Sequence, residues 1–586
     1  MDVEASQGIE PQSAVQGWLR AFESALQAAD ARALESLFAE DCHWRDVLAF
    51  TWRIGTVSGA GAIAAALQGR FLQTRAREFR LPASRTPPRW VRRAGTECIE
   101  ALFAFETGSG HGSGVLRLVT TSGGPRAWIL LTALDELAGF EESRLQAKIG
   151  PEHFSRDFGA PNWADQRAAA QAYADRDPAV LVIGGGQAGL SIAARLGRLG
   201  IDTLVVDRHE RIGDNWRKRY HALTLHNEVH VNHLPYMPFP PGWPVFIPKD
   251  KLANWFEAYV EALEINFWPG TELAGGSYDE ATKRWSVTLR RSDGGTRVMR
   301  PRHLVFATGV SAIPVTPDLP GLQEFAGAVV HSGDFTDGAA WKGRKALVLG
   351  TGNSGHDVAQ DLEASGAEVT MIQRSPTYIV SLKEAQKVYS IYSEGPPIDD
   401  CDLLATSFPY PVLKHAYQLS TAEMREVDKA LLDGLEQRGF RLAFGEDATG
   451  FQMMYLRRGG GYYFNVGCSD LIVRGKVGLM QWGDVERFVA QGVRLKDGGI
   501  VPAELLVLAT GYMNQQDVVR AYLGGEIADR IGPVWGFDAG GELRNMWQPT
   551  AQPGLWFTAG SLAQCRIYSR YLALQIKARE EGLVAA

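Results

Sequence analysis

The sequence predicts an α/β fold with two dinucleotide-binding (Rossmann-like) domains, preceded by an α+β cone domain. The first observation is a pair of glycine-rich loops, at residues 184–189 and 350–355, each of which follows a short apolar strand and opens a helix. The second is the different pattern of the first 147 residues, where amphipathic helices precede strand-like runs separated by Gly and Ser turns. From residue 179 onward the chain consists of strand–loop–helix units.

The composition limits the classes of function. Of 586 residues, 45% are hydrophobic and 22% are charged, which is typical of a folded chain with large cores. A net charge of −7 without a basic tract argues against binding to nucleic acid, and no apolar run is long enough for a membrane span. The acidic amino terminus lacks the apolar core of a secretory signal, and five scattered cysteines indicate a reducing compartment. We therefore expect a cytoplasmic protein.

The first domain is predicted from helical spacing followed by strands. Its helical apolar residues are Val15, Trp18, Leu19, Phe22 and Leu26. Strand-like runs at 98–107 and 114–121 follow, so we expect an antiparallel sheet. The layout resembles the nuclear-transport-factor-like (SnoaL-like) family, which implies an accessory cone and a possible homodimer. Asp41, His43 and Asp46 could form a small acid–base site, although polar rim residues of an accessory domain are the simpler interpretation.

The first glycine-rich loop is predicted to bind the pyrophosphate of a dinucleotide. Its glycines permit a tight turn, a close approach of the backbone to phosphate, and close packing of helix on strand. The helix N-terminus adds free N–H groups. The loop residues expected at the cofactor are Gly184, Gly186, Gln187, Ala188 and Gly189. Asp207 ends the next strand, where a carboxylate can bind both hydroxyls of an adenosine ribose.

The second loop repeats this arrangement with one change. Its expected cofactor-binding residues are Gly350, Gly352, Asn353, Ser354 and Gly355. Arg374 occupies the position that corresponds to Asp207, and a guanidinium binds a 2′-phosphate rather than a ribose diol. The second cofactor is therefore expected to be NADP(H), and the first unit, with its acid, is expected to hold FAD.

These assignments divide the chain into four parts. We expect the cone domain at 1–147, a linker with one helix at 148–178, an FAD-binding domain at 179–325 and 500–586, and an NADPH-binding domain with a helical insertion at 326–499.

Two classes of two-cofactor flavoprotein share this layout. Disulfide reductases pass electrons to a cysteine pair next to the flavin, but here no cysteine lies between Cys98 and Cys401. Oxygen is then the leading electron acceptor.

Over residues 175–586 the sequence resembles class B flavin-containing monooxygenases. Phe325, Gly327, His331 and Phe335 match that family's fingerprint FxGxxxHxxxF just before the second glycine loop. Thr336 stands where the flavin-containing branch has Lys. The GxGNSG form of the second loop and two ATG turns, at 307–309 and 509–511, agree with the resemblance.

The resemblance implies further site residues. Trp216 is expected near the flavin, His226 and Asn227 at the flavin ring and the nicotinamide amide, and Asn227 as the catalytic residue that stabilises the reaction intermediate. The remaining expected cofactor contacts are Thr308, Gly309, Gly511 and Gln564, of which Gln564 lies beside the isoalloxazine.

The implied activity is that of an NADPH- and O₂-dependent FAD monooxygenase. Such an enzyme N- or S-oxygenates a small organic substrate through a flavin hydroperoxide. A decarboxylating oxygenase of aryl-pyruvates such as indole-3-pyruvate uses the same cofactors. A Baeyer–Villiger oxygenase would have Trp at Phe335, and a partner-binding scaffold with a vestigial flavin domain would not need intact glycines in both loops.

Two other clusters have a simpler interpretation. His221, His226, His230 and His233 lack the spacing of a metal site, so no metal is expected. Tyr455, Tyr462 and Tyr463 are more often core residues, although an insertion at this point of the chain could place them above a substrate.

Overall fold

The computed structural model describes residues 8–142 and 158–584. The N-terminal part consists of three helices and seven strands, and Glu10 caps its first helix by accepting from the backbone N–H groups of Gln12 and Ser13. The bounds are α1 Pro11–Gln27, α2 Ala31–Ser36, β1 Phe38–Val47, β2 Ile54–Ser58, α3 Ala60–Thr74, β3 Arg77–Arg80, β4 Arg89–Arg93, β5 Thr96–Glu106, β6 Gly110–Thr121 and β7 Gly124–Leu137.

The seven strands form one mixed sheet in the order β2-β1-β7-β6-β5-β3, with β4 paired to β5. The expectation of an antiparallel sheet is wrong at one place, because β1 runs parallel to β7. A parallel pair needs a long crossover, and α3 with the strands β3 to β6 supplies it. The predicted boundary between residues 147 and 148 lies outside the described residues; the helix predicted beyond it is α4, Trp163–Ala172.

The next part is built on a five-stranded parallel sheet in the order β12-β9-β8-β16-β27. The strand β8, which comes first along the chain, is buried along its whole length, as the apolar run predicts. The bounds are β8 Val180–Ile183, α5 Gln187–Arg198, β9 Thr203–Val206, α6 Asp214–Arg217, β10 Thr224–Glu228, β11 Phe246–Pro248, α7 Lys249–Ala262, β12 Asn266–Trp268, β13 Thr271–Asp279, β14 Arg284–Arg291, β15 Thr296–Met299, β16 His303–Phe306, α15 Gln515–Leu523, α16 Gly525–Ile531, β27 Leu555–Phe557 and α17 Leu562–Glu580.

A second parallel sheet has the order β17-β26-β18-β19-β22. Its strand β26 pairs with β17 and β18, so the predicted return to the FAD-binding domain at residue 500 comes too early. The bounds are β17 Ala328–His331, β18 Lys345–Leu349, α8 Asn353–Ala364, β19 Glu368–Gln373, β22 Gly478–Gln481, β23 Val485–Val489, β24 Gly492–Leu495, β25 Ile500–Pro502 and β26 Leu505–Leu508.

A mainly helical insertion separates β19 from β22. The bounds are β20 Tyr378–Ser381, α9 Leu382–Ala385, a 3-10 helix Gln386–Ser393, α10 Ile398–Thr406, α11 Tyr410–Val427, α12 Lys429–Gln437, α13 Gly450–Arg458, β21 Tyr462–Asn465 and α14 Cys468–Val473.

Buried ion pairs join the N-terminal domain to this insertion. Glu100 accepts from Arg93 and Arg117 at 2.7–2.9 Å, and Arg93 also binds Glu394 of the insertion. The Arg117 guanidinium also donates to the hydroxyl of Ser407 at 2.6 Å. One apolar core runs without interruption from the N-terminal domain into the first parallel sheet. The N-terminal domain is therefore packed against the rest of the protein as a fixed part of it.

Candidate active site

One cavity of about 1520 Å³ lies where the two parallel sheets, the insertion and the N-terminal domain meet. Thirteen of the residues predicted from the sequence line it: Gly184, Gly186, Gln187, Ala188, Asp207, Trp216, His226, Asn227, Thr308, Gly309, Asn353, Ser354 and Gln564. The other six are not among its lining residues: Gly189, Gly350, Gly352, Gly355, Arg374 and Gly511. The structure thus brings both glycine loops to a single space.

At two glycines of the first loop, Gly184 and Gly189, a side chain would collide with the backbone. Gly184 has a φ of 108°, and a Cβ there would lie 2.6 Å from the carbonyl oxygen of Ala307. A Cβ on Gly189 would lie 1.9 Å from the carbonyl oxygen of Gly184. Gly186 differs, because a Cβ there would approach only the amide of Asn215 and would otherwise fill cavity space. This is the cradle that a pyrophosphate requires.

The helix that follows offers its amides to that cradle. Gly186 is the N-cap residue of α5, and no side chain caps the helix. Thr308 also lines the cavity, and among the described residues its buried hydroxyl has no hydrogen-bond partner. Asp207 lines the cavity at the end of β9, where it accepts from the backbone N–H of Gly185 at 2.7 Å. These residues fit the adenosine and pyrophosphate of FAD.

The second loop uses its glycines in the same way. Gly350 has a φ of 119° and would collide with Ala509, and a Cβ on Gly355 would lie 2.2 Å from the carbonyl oxygen of Gly350. At Gly352 the nearest atom to a Cβ is the carbonyl oxygen of Tyr462 at 3.7 Å. The middle glycine therefore leaves room for a ligand, and α8 begins there without a side-chain cap.

Arg374 is exposed at the end of β19, outside the cavity lining. Its carbonyl oxygen accepts from the guanidinium of Arg441 at 2.6 Å, so a second arginine lies next to it. Sequence reasoning missed Arg441, because no motif surrounds it and only the fold brings the loop after α12 to β19.

Three predicted residues meet at the expected flavin end of the cavity. The indole N–H of Trp216 donates to the side chain of Gln187 at 3.2 Å, and Gln187 donates to the carbonyl oxygen of Gly560. Gln564 caps the C-terminal helix α17 and accepts from the hydroxyl of Tyr455 at 3.1 Å. The first loop, the 214–217 helix and the start of α17 are thus held together by side-chain hydrogen bonds.

The fingerprint histidine has a positioning role. Nδ1 of His331 accepts from the backbone N–H of Gly333, so Nε2 carries the proton and donates to the carbonyl oxygen of Gly511 at 3.1 Å. The ring also makes an edge-to-face contact with Tyr512. His331 therefore fixes the second ATG turn, and Gly511 belongs to this support and not to the cavity wall.

His226 and Asn227 are neighbours within β10, and both line the cavity. Burial lowers the pKa of His226, although the nearby carboxylate of Asp357 acts in the opposite direction. Gln386 of the insertion bonds the backbone on both sides of Asn227, donating to the carbonyl oxygen of His226 at 2.9 Å and accepting from the N–H of Glu228 at 3.3 Å. The segment that carries the predicted catalytic amide is therefore held in place by a residue outside both nucleotide units.

Sequence reasoning missed most of the tyrosines that line the cavity. Tyr455 and Tyr462 line the cavity, whereas Tyr463 is a core residue that stacks on His356 at 3.9 Å. The further lining tyrosines of the insertion and of α17 are Tyr389, Tyr392, Tyr410, Tyr417 and Tyr568. They are scattered over nearly 180 positions of sequence, so no local pattern could have assembled them.

The remaining clusters have structural roles. The carboxylate of Asp46 accepts from the backbone N–H groups of Phe50 and Thr51 and from the hydroxyls of Thr51 and Thr132, inside the N-terminal domain.

In the described part of the chain, no three His, Cys, Asp or Glu residues are arranged to hold a metal ion. Among residues 8–142 and 158–584, no helix is long and apolar enough to cross a membrane.

The cysteines are remote from this site. All five are buried and free, and none lines the cavity. Burial raises the pKa of Cys565, which disfavours the thiolate that electron relay requires. Two dinucleotide units that share one cavity define a two-cofactor flavoprotein oxidoreductase.

Comparisons with known proteins identify the family. Residues 178–390 match the pyridine nucleotide-disulphide oxidoreductase family. The chain is 31% identical to the indole-3-pyruvate monooxygenase YUCCA1 of Oryza sativa subsp. japonica, over 57% of this chain and 77% of that enzyme. It is 29% identical to the probable indole-3-pyruvate monooxygenase YUCCA4 of Arabidopsis thaliana, over 57% of this chain and 75% of that protein. The chain belongs to the YUCCA-like flavin monooxygenase family.

A solved structure supports the fold. A cyclohexanone monooxygenase matches 69% of this chain and 88% of its own with a TM-score of 0.51 at 18% identity. The expected α/β architecture with two dinucleotide-binding units is thereby confirmed.

Proposed function

We propose that this protein is an NADPH- and O₂-dependent FAD monooxygenase that N- or S-oxygenates a small organic substrate. The observation that carries the proposal is the single cavity onto which both glycine loops open. Membership of the flavin monooxygenase family supports the reaction class. The absence of cysteine from the cavity wall supports oxygen, rather than a disulfide, as the electron acceptor.

FAD fits the first loop and NADP(H) the second. Gly186 and the amides of Gln187 and Ala188 would hold the flavin pyrophosphate, with Asp207 on the ribose. Asn353 and Ser354 at the start of α8 would hold the NADP(H) pyrophosphate, with Arg374 at the 2′-phosphate. When bound, the flavin accepts hydride from NADPH and supplies the electrons for transfer of one oxygen atom from O₂.

The residues of the chain orient the reactants and exclude water. Trp216 donates to Gln187, Gln187 donates to the carbonyl oxygen of Gly560, and Gln564 accepts from the backbone N–H of Ser561. These hydrogen bonds fix the wall at the expected flavin end of the cavity. The amide of Asn227, in a segment whose backbone Gln386 holds, is the donor that we assign to the reacting oxygen. His226 is neutral near pH 7 because burial lowers its pKa, so it places no positive charge beside Asn227.

A second candidate is the decarboxylating oxidation of an aryl-pyruvate. The similarity to indole-3-pyruvate monooxygenases over most of their length favours it. This reaction would use the same two nucleotide sites, and only the substrate would differ: an aryl-pyruvate in place of an amine or a sulfide.

The test compares three probes with purified holoenzyme. We expect methyl phenyl sulfide or N,N-dimethylaniline to accelerate NADPH oxidation and to yield the sulfoxide or N-oxide. Conversion of indole-3-pyruvate to indole-3-acetate instead would select the second candidate. NADPH oxidation that needs no O₂ would contradict both.

A further inference from the structure

Part of the cavity wall comes from the N-terminal domain. Arg45 of β1, Ile54 of β2, and Ala94 and Gly95 of the β4–β5 turn all line it. Arg45 pairs in register with Thr56, two positions from Ile54, so these three residues share one face of the sheet. That face is turned toward the cavity, so the N-terminal domain forms part of the cavity wall.

The phenol rings of Tyr389, Tyr417, Tyr455, Tyr462 and Tyr568 line the neighbouring wall, and we name this region the aromatic chamber. Burial raises the pKa of Tyr417, and the nearby phenols of Tyr389 and Tyr568 raise it further. The pKa of Tyr462 is raised by burial and by Tyr389. The hydroxyls of Tyr417 and Tyr462 therefore stay protonated near neutral pH and offer neutral hydrogen bonds to a ligand in the chamber.

A buried ion pair connects the N-terminal domain to the chamber. The guanidinium of Arg45 donates to both carboxylate oxygens of Glu542, at 3.0 and 2.6 Å. It also donates to the carbonyl oxygen of Thr406 and, at 3.4 Å, to the hydroxyl of Tyr568. Burial alone would lower the pKa of Arg45, but the Glu542 carboxylate raises it above the usual value. All the Arg45 nitrogens thus have partners, and its charge is cancelled.

The other lining cations of the N-terminal domain and of the insertion are also neutralised or exposed. Arg93 lies between Glu100 and Glu394, and Lys387 lies between Glu384 and Glu423. Arg92 is exposed. A carboxylate that entered the aromatic chamber would lose hydration without gaining an unpaired cation, which is unfavourable.

We propose that the N-terminal domain completes the substrate site, and that the Arg45–Glu542 pair makes the aromatic chamber select uncharged aromatic molecules over aryl carboxylates. This rests on the proposed function for the identity of the cavity as the substrate site, and it deepens that function by naming the substrate class. It assigns to Arg45 and Ile54 a role in specificity.

The first experiment measures equilibrium binding to the oxidised FAD-loaded enzyme by calorimetry, with phenylacetamide and phenylacetate as probes of equal shape. The wild type should prefer the amide. Glu542→Gln leaves the Arg45 charge without a partner and should shift the preference toward phenylacetate by about tenfold or more. Glu272→Gln removes another carboxylate from the lining, one whose partner Arg290 lies outside it, and should leave the ratio unchanged. Equal affinities in the wild type, or equal ratios in both variants, would overturn the proposal.

A second pair of variants covers the case in which Glu542→Gln does not fold. Ile54→Ala removes a side chain from the cavity wall, whereas Ile63→Ala removes one from the core of the same domain without touching the cavity. Ile54→Ala should weaken phenylacetamide binding by about threefold or more, and Ile63→Ala should not change it. An equal effect of the two substitutions would remove the domain from the substrate site.

Failure of this inference can be told apart from failure of the proposed function. If the enzyme retains FAD and oxidises NADPH with a sulfide probe but shows no charge preference, only the role of the N-terminal domain is wrong. If none of the probes of the proposed function is oxygenated, that function itself is wrong.

Discussion

Glycines in the two nucleotide loops have two distinct tasks. The first and third glycines, such as Gly184 and Gly189, prevent collisions within the protein. The middle glycine, Gly186 or Gly352, leaves space that the protein does not use. Substitutions should therefore separate folding from cofactor binding.

Gly186→Val should abolish retention of FAD while the protein still folds. The new side chain meets only the flexible amide of Asn215 and otherwise occupies the pyrophosphate cradle. Gly197→Val is the matched control, since Gly197 lies on the same helix with no atom within 4 Å of its Cβ position. The flavin-to-protein absorbance ratio measures the result, and a fully loaded Gly186→Val enzyme would contradict the site assignment.

Arg374 sets the preference for NADPH in this account. Arg374→Ala should raise the KM for NADPH by about tenfold or more, because a charged hydrogen bond to phosphate contributes about 1.5–3 kcal/mol. The KM for NADH should stay unchanged, as should both constants in the control Arg344→Ala. Steady-state kinetics decide this, and equal use of both nucleotides by the wild type would refute the arginine assignment.

The sequence predicts residues that act through local backbone geometry much better than residues that act through tertiary contact. Both glycine loops and Asp207 follow from strand, turn and helix signals within a few positions. Arg441, Tyr389 and the Arg45–Glu542 pair come together only through the fold. Their partners lie up to 497 positions apart in sequence, so no motif could contain them.

At the scale of elements, the positions of the buried strands could be predicted from the sequence, but the pairing between strands could not. Apolar runs at 345–349 and 505–508 identify two buried strands, but only the structure shows that β26 joins β18 in the second sheet. In the N-terminal domain, the parallel pairing of β1 with β7 depends on a crossover of about 80 residues, whose closure no local signal encodes.

The interface between the N-terminal domain and the insertion depends on Glu100. Glu100→Gln should lower the free energy of unfolding by about 3–5 kcal/mol, because Arg93 and Arg117 would stay buried without their shared counter-charge. Glu97→Gln, at an exposed position of the same strand, should change it by less than about 0.5 kcal/mol. Denaturant unfolding measures both values, and equal effects would contradict the role of the ion pairs.

The same carboxylate predicts a pH dependence. Burial alone would raise the pKa of Glu100, but the guanidinium groups of Arg117 and Arg93 lower it from 4.5 to about 2. A depressed pKa in the folded state means that its stabilisation is complete above pH 4.5 and is lost as the pH falls toward 2. Glu100→Gln should therefore lose less stability than the wild type over that range.

At the scale of the whole molecule, the N-terminal domain, both nucleotide-binding units and the insertion all contribute to the cavity wall. The two parallel sheets supply the nucleotide loops, the insertion supplies most of the tyrosines, and the N-terminal domain supplies Arg45 and Ile54. The chemistry follows from the nucleotide units, and the substrate class follows from the parts that surround them.

Turnover of methyl phenyl sulfide with NADPH under ¹⁸O₂, followed by mass spectrometry of the sulfoxide, tests the central claim most directly. The account predicts one ¹⁸O atom in each product molecule, NADPH consumption that stops without oxygen, and a strong preference over NADH. Product without label, or NADPH oxidation that continues at the same rate under nitrogen, would contradict it.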